Sequence, residues 1–487
     1  MYLPIKPATR ITNDGMRLAD SQTPLPVKIH IFAILRTFQR RTSCSGWAII
    51  LRSSGVHVST MRGKRRIVLS TLGSLGDLHP VMGLALGLQA RGHDVVLATS
   101  EFYREKIAAA GLEFSPLRPL AAPDDPQMLR RVLDSRKGPE YLIRTLLLPH
   151  VGDMYADMSR ATEGADFLIS GEVVLAAPLI AEKRRIPWAA AILAPFSFFS
   201  AHDPSAFPFL PGPQWVARAP PFIQRRLLDV FRFVTRNWGA PIAELRRSLG
   251  LRQTRHPLLL DRFSPYLNLA MFSSVLGQPQ PDWPPNTVQT GFVFYDPDGE
   301  AAPGPLQGFL DSGPPPITFT LGSTAVMDPG RFFEESAAAA RILGRRALLL
   351  MGKNARPASL SEDLFAADYA PYSRVFPRSA CVAHQGGVGT TAQALRAGMP
   401  QLVMPYAFDQ PDNAARVTRI GAGLCLSRQR YRADKVAKLL GRMLASSTYN
   451  EHARDAGRQV DGENGASAAC DTVERAIATL CQSAAAV

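Results

Sequence analysis

Short apolar runs, each followed by a turn and then by helical spacing, recur along this chain. Residues 67–71 form an apolar, β-branched run that predicts a first strand, and the glycine-rich segment 73–77 predicts the turn after it. Pro80 suits the first turn of a helix, and Gly92 ends the apolar helical spacing that follows. Residues 95–98 then predict the next strand. This order is typical of a parallel sheet.

The same order returns in the second half of the chain. Residues 277–316 are rich in proline, which disfavours regular structure, and a new series of apolar runs begins after them. The further predicted strands are 167–170, 189–193, 317–321 and 347–351, and the predicted helix between the last two is 332–343. We therefore predict an α/β fold with two Rossmann-like domains that face each other across a cleft.

The segment 384–413 is the most informative part of the sequence. An apolar run at 381–383 leads into a glycine-rich turn, then into a helix predicted from about Thr390 to Gly398. Glycines allow backbone N–H groups to line a concavity, and a helix start adds a positive dipole end, so two phosphates would fit there. The apolar run at 401–406 then leads to Asp409-Gln410, which can hydrogen-bond vicinal hydroxyls. Diphosphate beside sugar indicates a nucleotide-sugar site.

These patterns predict five segments. Residues 1–61 look unlike the rest, and we interpret them as a disordered extension or as an over-called start with Met61 as the true first residue. The remaining segments are a first domain at 62–285, a proline-rich linker at 286–316, a second domain at 317–470 and a helical tail at 471–487. We expect the tail to pack back across the first domain.

Composition narrows the class of protein. The chain has 487 residues, an ordinary globular composition and 5 scattered cysteines without a C-x-x-C motif, which argues against structural zinc and a disulfide framework. This cysteine usage fits a reducing cytoplasm, so we expect a cytoplasmic or membrane-peripheral protein. No apolar run in the first sixty residues approaches the roughly 20 residues of a membrane span. The net charge of +14 comes without an interleaved aromatic and basic nucleic-acid motif. Solvated arginines and contact with an anionic membrane remain as explanations.

Two motifs together resemble a known family. The segment GSLGDLHP at 73–80 and the segment HQGGVGTTAQALRAG…DQPDN resemble family-one, GT-B-fold glycosyltransferases, in the bacterial branch that includes rhamnolipid, glycopeptide-antibiotic and sterol glycosyltransferases. The resemblance covers about residues 62–475. It implies inverting, metal-independent transfer of a hexose from a UDP- or dTDP-sugar, with no cofactor besides that co-substrate. The donor would bind mainly in the second domain and a lipophilic hydroxyl acceptor in the first.

The resemblance also implies the donor-binding residues. Many relatives read His-His where this chain reads His384-Gln385, so these two residues share the diphosphate contact. Gln393 lies where many relatives place a ribose-binding Glu, and Asp409 and Gln410 match the sugar-hydroxyl pair. The other implied donor contacts are Gly322, Ser323, Ala370, Pro371, Gly386, Gly387, Gly389, Thr390 and Thr391.

The first motif carries the predicted catalytic base. Many relatives have His in a G-H-x-x-P pattern, and here Asp77 stands at that position, as in the antibiotic and sterol branch. An unperturbed Asp is a weak base, and burial in a closed cleft would raise its pKa. The alternatives are that His79 is the base, or that Asp77 only caps the following helix.

The acceptor side is predicted from aromatic residues. Residues 187–238 hold 8 of the 24 phenylalanines and 3 of the 5 tryptophans, which favours either an apolar acceptor pocket or ordinary core. We predict acceptor contacts at Gly76, Phe196, Phe198 and Phe199, with Phe207, Phe209 and Trp215 nearby. The apolar stretch 222–238 carries four arginines, which suits either an anionic membrane surface or a solvated basic face.

Two other functions compete with sugar transfer. One is a catalytically silent nucleotide-sugar-binding partner of an active transferase, and the other is a nucleotide-sugar epimerase. The presence of Asp77 argues against the first, and the aromatic-rich region argues against the second. Asp296-Pro-Asp298 matches a D-x-D metal motif, but we place it away from the cleft and predict no metal site.

Overall fold

The computed structural model describes residues 63–119, 125–206, 219–296, 303–356 and 361–485. The predicted extension at 1–61 lies outside these residues.

Thirteen strands within the described residues form two sheets. The strands of the first sheet are β1 (Arg66–Ser70), β2 (Asp94–Thr99), β3 (Glu113–Pro116), β4 (Phe167–Gly171), β5 (Trp188–Ile192), β6 (Leu267–Ala270) and β7 (Thr287–Gln289). The strands of the second sheet are β8 (Ile317–Thr320), β9 (Ala347–Leu350), β10 (Leu364–Ala367), β11 (Cys381–His384), β12 (Gln401–Val403) and β13 (Gly423–Cys425).

Helices connect the strands and cover both sheets. In the first half they are α1 (Leu75–Ala90), α2 (Arg104–Ala109), α3 (Pro126–Val132), α4 (Gly138–Tyr141), α5 (Val151–Ala161), α6 (Ala177–Arg184), α7 (Pro221–Thr235) and α8 (Ala240–Ser248). In the second half they are α9 (Gly304–Asp311), α10 (Gly322–Ala325), α11 (Phe332–Ile342), α12 (Tyr372–Val375), α13 (Val388–Arg396), α14 (Gln410–Arg419), α15 (Ala433–Ala445), α16 (Ser447–Gly462) and α17 (Gly465–Ala485).

Both sheets are parallel and share one topology. The first has the order β3-β2-β1-β4-β5-β6-β7 and the second β10-β9-β8-β11-β12-β13. In each sheet the order reverses beside the first strand, so the first sheet has a switch point between β1 and β4 and the second between β8 and β11. Ligands of open α/β sheets bind at the carboxyl ends of strands that flank such a point.

Alternation along the central strands builds a three-layer first domain. Ile67 and Leu69 are buried with α1 on one face, whereas Val68 is buried with α5 and α6 on the other. Successive strand side chains point to opposite faces, so both faces must be apolar, and β1 reads as a continuous apolar run. This burial holds the turn after β1 in a fixed place.

The predicted linker contains regular structure. Residues 287–289 pair with β6 as strand β7, and residues 304–311 form α9, whose Leu306 and Phe309 pack into the second domain. Both segments tolerate the prolines beside or within them. Pro285 precedes β7, which is an edge strand, and Pro305 lies in the first turn of α9. The expectation that proline disfavours regular structure across 277–316 was therefore wrong for residues 287–289 and 304–311.

The carboxyl-terminal helix returns to the first domain. Cys470 and Val473 of α17 lie in the same apolar core as Leu84 and Leu88 of α1. At the surface, Arg91 donates to the Asp471 carboxylate at 2.5 Å. The helix begins at Gly465, ahead of the predicted start of the tail at 471.

No helix among the described residues is long and apolar enough to cross a bilayer.

Candidate active site

The predicted site residues follow the strands at the two switch points. The loop with Gly73 and then the first turn of α1 with Asp77 follow β1, and Glu172 follows β4. In the second domain, Gly322-Ser323 follows β8 and Gln385 follows β11. Parallel topology thus brings segments far apart in sequence to the sheet edges that bind ligands.

The two loops touch each other. A Cβ atom built on Gly389, in the first turn of α13, would lie 3.6 Å from the Cα atom of Gly76, in the first turn of α1. Both helices therefore direct their amino-terminal N–H groups into one narrow space. That space has the positive potential that favours an anion.

Asp77 is the third residue of α1 and forms a capping box with the N-cap residue Ser74. Its Oδ2 atom accepts hydrogen bonds from the Ser74 backbone N–H at 2.8 Å and from the Ser74 hydroxyl at 3.1 Å. Asp77 therefore does help to cap α1, as the alternative interpretation predicted. Both bonds from Ser74 go to Oδ2, which leaves Oδ1 outside the cap, so capping and a catalytic role do not exclude each other.

The surroundings of Asp77 make its carboxylate more basic. Burial raises the pKa of this carboxyl, hydrogen bonds from Ser74 oppose the shift, and the nearby charge of Glu172 adds to it. A carboxylate with a raised pKa is a better general base near neutral pH.

His79 has a different environment. Its ring packs against Tyr295, with 5.2 Å between the ring centroids, and its Nε2 atom is buried without a hydrogen-bond partner among the described residues. Burial, helped by the charge of Lys106, lowers the pKa of His79 to about 4. The ring is therefore neutral at neutral pH and is a much weaker base than an ordinary histidine.

The glycine-rich turn of the second domain and the start of α13 form the predicted concavity of N–H groups, which we call the cradle. Gly386 has a φ of +88°, and a Cβ atom there would lie 2.6 Å from the Val403 side chain, so only glycine fits without movement. Gly387 then serves as the N-cap of α13. The Val388 N–H donates to Asp409 and the Thr391 N–H to the Gly387 carbonyl, whereas the helix offers no carbonyl partner to the Gly389 and Thr390 amides, which a ligand could use.

His384 lies beneath this turn rather than in the cradle. Its side chain has no exposed surface, its Nδ1 accepts from the Gly386 N–H at 3.0 Å, and its Nε2 lies 2.8 Å from the Gln401 Oε1. Burial lowers the pKa of His384 to about 4, so the ring is neutral and holds the turn. A direct diphosphate contact from His384 does not fit this position.

Gln385 is the member of the pair that reaches the cradle. A Cβ atom on Gly322 would lie 2.3 Å from its Nε2, and one on Gly387 would lie 2.8 Å from the same atom. This nitrogen also lies 3.4 Å from the Thr390 hydroxyl. The amide thus sits between the β8 loop and the start of α13, where a phosphate oxygen would meet it.

The two threonines of the motif differ. Thr390 contacts Gln385, whereas the Thr391 hydroxyl is wholly buried and has no hydrogen-bond partner among the described residues. A phosphate contact from the Thr391 side chain does not fit this burial.

The Asp409 carboxylate lies at the start of α13, beside the cradle. Its Oδ2 accepts from the Val388 N–H at 3.2 Å and from the Asn413 side chain at 2.7 Å. Burial raises the pKa of the Asp409 carboxyl to about 7; the bond from Asn413 opposes this shift, and the nearby charge of Asp77 adds to it. The predicted base and the predicted sugar contact therefore lie in one site.

The pKa of Asp409 predicts a pH-dependent stability. Because the folded-state pKa lies above the usual value of 3.8, the folded chain holds the proton more tightly, and stability falls as pH rises from about 4 to 7. We expect Asp409→Asn to remove this loss and to be more stable than the parent at pH 8 by at most about 4 kcal/mol. Urea denaturation at pH 5 and 8 measures the difference, with the exposed Asp363→Asn as control. Parallel pH profiles for parent and Asp409→Asn would contradict the assignment.

Gln410 closes the loop before α14. Its Oε1 accepts from the Tyr406 N–H at 2.9 Å and from the Ala407 N–H at 3.4 Å. This leaves its amide N–H groups for a sugar hydroxyl.

The remaining predicted donor residues line the edges of the site. Ser323 is exposed at the start of α10, whereas Ala370 and Pro371 are buried and can offer only backbone groups. Gln393 lies 3.5 Å from the Asp296 carboxylate, which also pairs with Arg396. Asp296 thus lies against the cradle helix, contrary to our prediction, while Asp298 lies outside the described residues.

The three predicted acceptor phenylalanines differ in how far they are buried. Phe198 is buried and stacks on Trp283 with 4.2 Å between centroids, so it belongs to the core, and the acceptor prediction for it was wrong. Phe196 and Phe199 are partly exposed and contact each other at 5.7 Å. Gly76 faces the cradle directly. Phe207, Phe209 and Trp215 lie outside the described residues.

Sequence reasoning missed Glu172 and Arg262. The Ser197 hydroxyl donates to Glu172 at 2.5 Å, and the Arg262 guanidinium lies 3.4 Å from the same carboxylate and over the Phe199 ring. Glu172 follows a buried apolar run, as Asp77 does, and that pattern could have revealed it. Together they add a polar edge to the aromatic side of the site.

Within the described residues, no group of three or more His, Cys, Asp or Glu side chains is placed to hold a metal ion.

Comparison with known proteins identifies the family. The model for the glycosyltransferase family 28 N-terminal domain matches residues 67–191. The model for the erythromycin biosynthesis protein CIII-like C-terminal domain matches residues 348–475. The chain is 33% identical over 425 residues to the O-mycaminosyltylonolide 6-deoxyallosyltransferase of Streptomyces fradiae. The alignment covers 84% of this chain and 97% of that relative. The chain belongs to the family-one GT-B glycosyltransferases.

Other relatives agree with this family. A sterol 3-beta-glucosyltransferase of Komagataella phaffii is 28% identical over 488 residues, with 94% of this chain and 38% of that much longer relative covered. Among solved structures, the glycosyltransferase of kitacinnamycin has a TM-score of 0.66 at 17% identity and covers 85% of this chain and 99% of its own. Spinosyn rhamnosyltransferase SpnG complexed with thymidine diphosphate has a TM-score of 0.58 at 19% identity, and it covers 82% of this chain and 96% of its own.

These findings confirm the predicted family, the GT-B fold and the enzyme class. The chain is a glycosyltransferase. The domain boundaries and the roles of individual residues stay predictions.

Proposed function

We propose that this enzyme transfers a hexose from a UDP- or dTDP-sugar to a hydroxyl of a lipophilic small molecule or lipid, with inversion and without a metal ion. The observation that carries this proposal is the meeting of the two switch-point loops, where the start of α13 faces Asp77. A donor diphosphate, a sugar and a general base would then lie together.

The names of relatives support the donor and acceptor classes. The Streptomyces fradiae relative is named for transfer of a 6-deoxyallosyl group to O-mycaminosyltylonolide, the Komagataella phaffii relative for transfer of glucose to a sterol, and the SpnG complex contains thymidine diphosphate. A sterol is a largely apolar molecule. The partly exposed Phe196 and Phe199 suit such a molecule.

The proposed reaction is a single displacement. The acceptor oxygen bonds to the anomeric carbon as the bond from that carbon to the diphosphate oxygen breaks, and the acceptor proton passes to Asp77. Negative charge develops on the departing diphosphate, where the α13 amides and the Gln385 amide group stabilise it. Gln385 is neutral at every working pH, so this stabilisation does not depend on a titrating histidine.

Incubation with a panel of nucleotide sugars and apolar alcohols tests the function. We expect release of nucleoside diphosphate that requires an acceptor, together with a glycosylated product of inverted anomeric configuration. Interconversion of the nucleotide sugar without an acceptor would instead indicate an epimerase. Donor binding without turnover on any acceptor would indicate a silent partner.

A pair of substitutions tests the cradle side chains. We expect Gln385→Ala to weaken binding of UDP or dTDP by about 10- to 150-fold, because a hydrogen bond to a charged group contributes about 1.5–3 kcal/mol. Thr391→Val, which removes a buried hydroxyl, should leave the affinity unchanged. Titration calorimetry measures both, and equal losses in the two variants would contradict the assignment.

A further inference from the structure

Helix α7, Pro221–Thr235, exposes an unusual amount of apolar side chain. Five of the eleven large apolar side chains that are exposed among the described residues lie on this one helix. They are Phe222, Leu227, Val230, Phe233 and Val234, with 44–68% of their surface exposed. Single exposed apolar residues are common, but such a concentration marks an interaction surface.

The exposed residues form one continuous arc. At about 100° per residue, Phe222, Phe233, Val230, Val234 and Leu227 fall within about 140° of the helix circumference. The opposite face is fixed to the protein: Gln224 and Thr235 are buried, and the His256 ring contacts the Arg232 carbonyl at 3.2 Å. The apolar arc therefore faces outward.

A basic stripe borders this arc. The helix and its next residue carry four arginines and one acid, Asp229, which lies 3.3 Å from Arg232. Arg236 stacks over the Phe233 ring at 3.8 Å. The four arginines are Arg225, Arg226, Arg232 and Arg236. Arg225, Arg232 and Arg236 fall along one border of the arc and Arg226 falls within it, so the surface combines apolar and cationic side chains.

The same helix adjoins the acceptor side of the site. Phe231 of α7 lies 5.9 Å from Phe199, ring centroid to centroid. Phe199 is a predicted acceptor contact, so the helix that carries the exposed arc also contacts the acceptor region.

We propose that α7 is an interfacial helix that docks this enzyme on anionic lipid bilayers. An apolar arc bordered by arginines complements a bilayer, whose interior is apolar and whose surface is negative. A second copy of the chain fits less well, because it would bring an equally basic stripe to the interface. The docking does not depend on the acceptor, but its use in presenting a lipophilic acceptor rests on the proposed function.

Vesicle co-sedimentation of the full chain tests this proposal. We expect binding to vesicles of phosphatidylcholine mixed with phosphatidylglycerol, stronger than binding to phosphatidylcholine alone by on the order of 100-fold at low salt. The variant with Phe222→Asp and Phe233→Asp should lose this binding. Ile342→Asp is the matched control, because Ile342 is 63% exposed and Phe233 is 64% exposed; it should bind like the parent.

A second variant and a second measurement distinguish loss of membrane binding from misfolding and from self-association. Arg225→Glu with Arg236→Glu should abolish the preference for anionic vesicles without touching the apolar arc, so misfolding of one variant leaves the other to decide. Equal binding to both vesicle types, no binding, or equal loss in Ile342→Asp would overturn the proposal. So would a dimer in gel filtration that Phe233→Asp dissociates, since the arc would then be a self-interface. These readouts need no turnover, so they stand even if the proposed function fails.

Discussion

Asp77→Asn is expected to lower kcat by about 10²–10⁴-fold, the range that general base catalysis contributes. The amide cannot take the acceptor proton, but its oxygen can still accept from Ser74, so the helix cap survives. Thermal stability and donor affinity should therefore stay close to those of the parent. Steady-state kinetics and a dTDP or UDP titration measure the two effects separately.

Two further variants separate the roles of this turn. Ser74→Ala removes capping bonds but keeps the carboxylate, so it should cost about 1 kcal/mol of stability and much less activity than Asp77→Asn. His79→Gln should reduce kcat far less than Asp77→Asn, because the pKa of about 4 makes that ring a weak base. A larger loss in His79→Gln than in Asp77→Asn would move the base to His79.

Arg416→Met is expected to lower the free energy of unfolding by about 3–5 kcal/mol. Arg416 is 2% exposed, and its guanidinium donates to Asp412 at 2.6 Å, to the Leu276 carbonyl at 2.9 Å and to the carboxylate of Asp203. Removing it leaves the buried Asp412 carboxylate without its cation and leaves the partly buried Asp203 with only the exposed Arg419. Because Asp203 and Leu276 follow strands of the first sheet and α14 packs on the second sheet, the loss would also loosen the contact between the two sheet domains.

Arg419→Met is the matched control for this prediction. Arg419 also donates to Asp203, at 2.7 Å, but its side chain is 54% exposed, so we expect a change of at most about 1 kcal/mol. Adding Asp412→Asn to Arg416→Met should recover part of the stability, since one uncompensated charge is removed. Urea denaturation of the four proteins measures this, and similar small losses in both arginine variants would contradict the account.

Most central strands were predictable from sequence because they are buried on both faces; β6, Leu267–Ala270, is buried as well but was missed. β1, β4, β5, β8 and β9 read as continuous apolar runs, and each was predicted within one or two residues. β3, Glu113–Pro116, and β7, Thr287–Gln289, were missed because edge strands are short and partly polar. Their pairing depends on neighbours that a local pattern does not contain.

The site was predictable where a loop pattern carries the chemistry. The turn after β1 and the glycine-rich turn after β11 were located from spacing alone. The division of roles within them was not, because the burial of His384 depends on Gln401, seventeen residues later. Likewise, Phe198 joins the core through Trp283, and only the folded chain brings those rings together.

Hydrogen exchange of the backbone amides with and without dTDP or UDP tests the central claim most directly. That claim is that the start of α13 binds the donor diphosphate. The account predicts that bound nucleotide slows exchange in the segment Gly386–Thr390 and in the facing turn at Gly76, while Ser74→Ala and the exposed α7 variants leave this protection intact. Nucleotide binding that protects another region and leaves Gly386–Thr390 unchanged would contradict it.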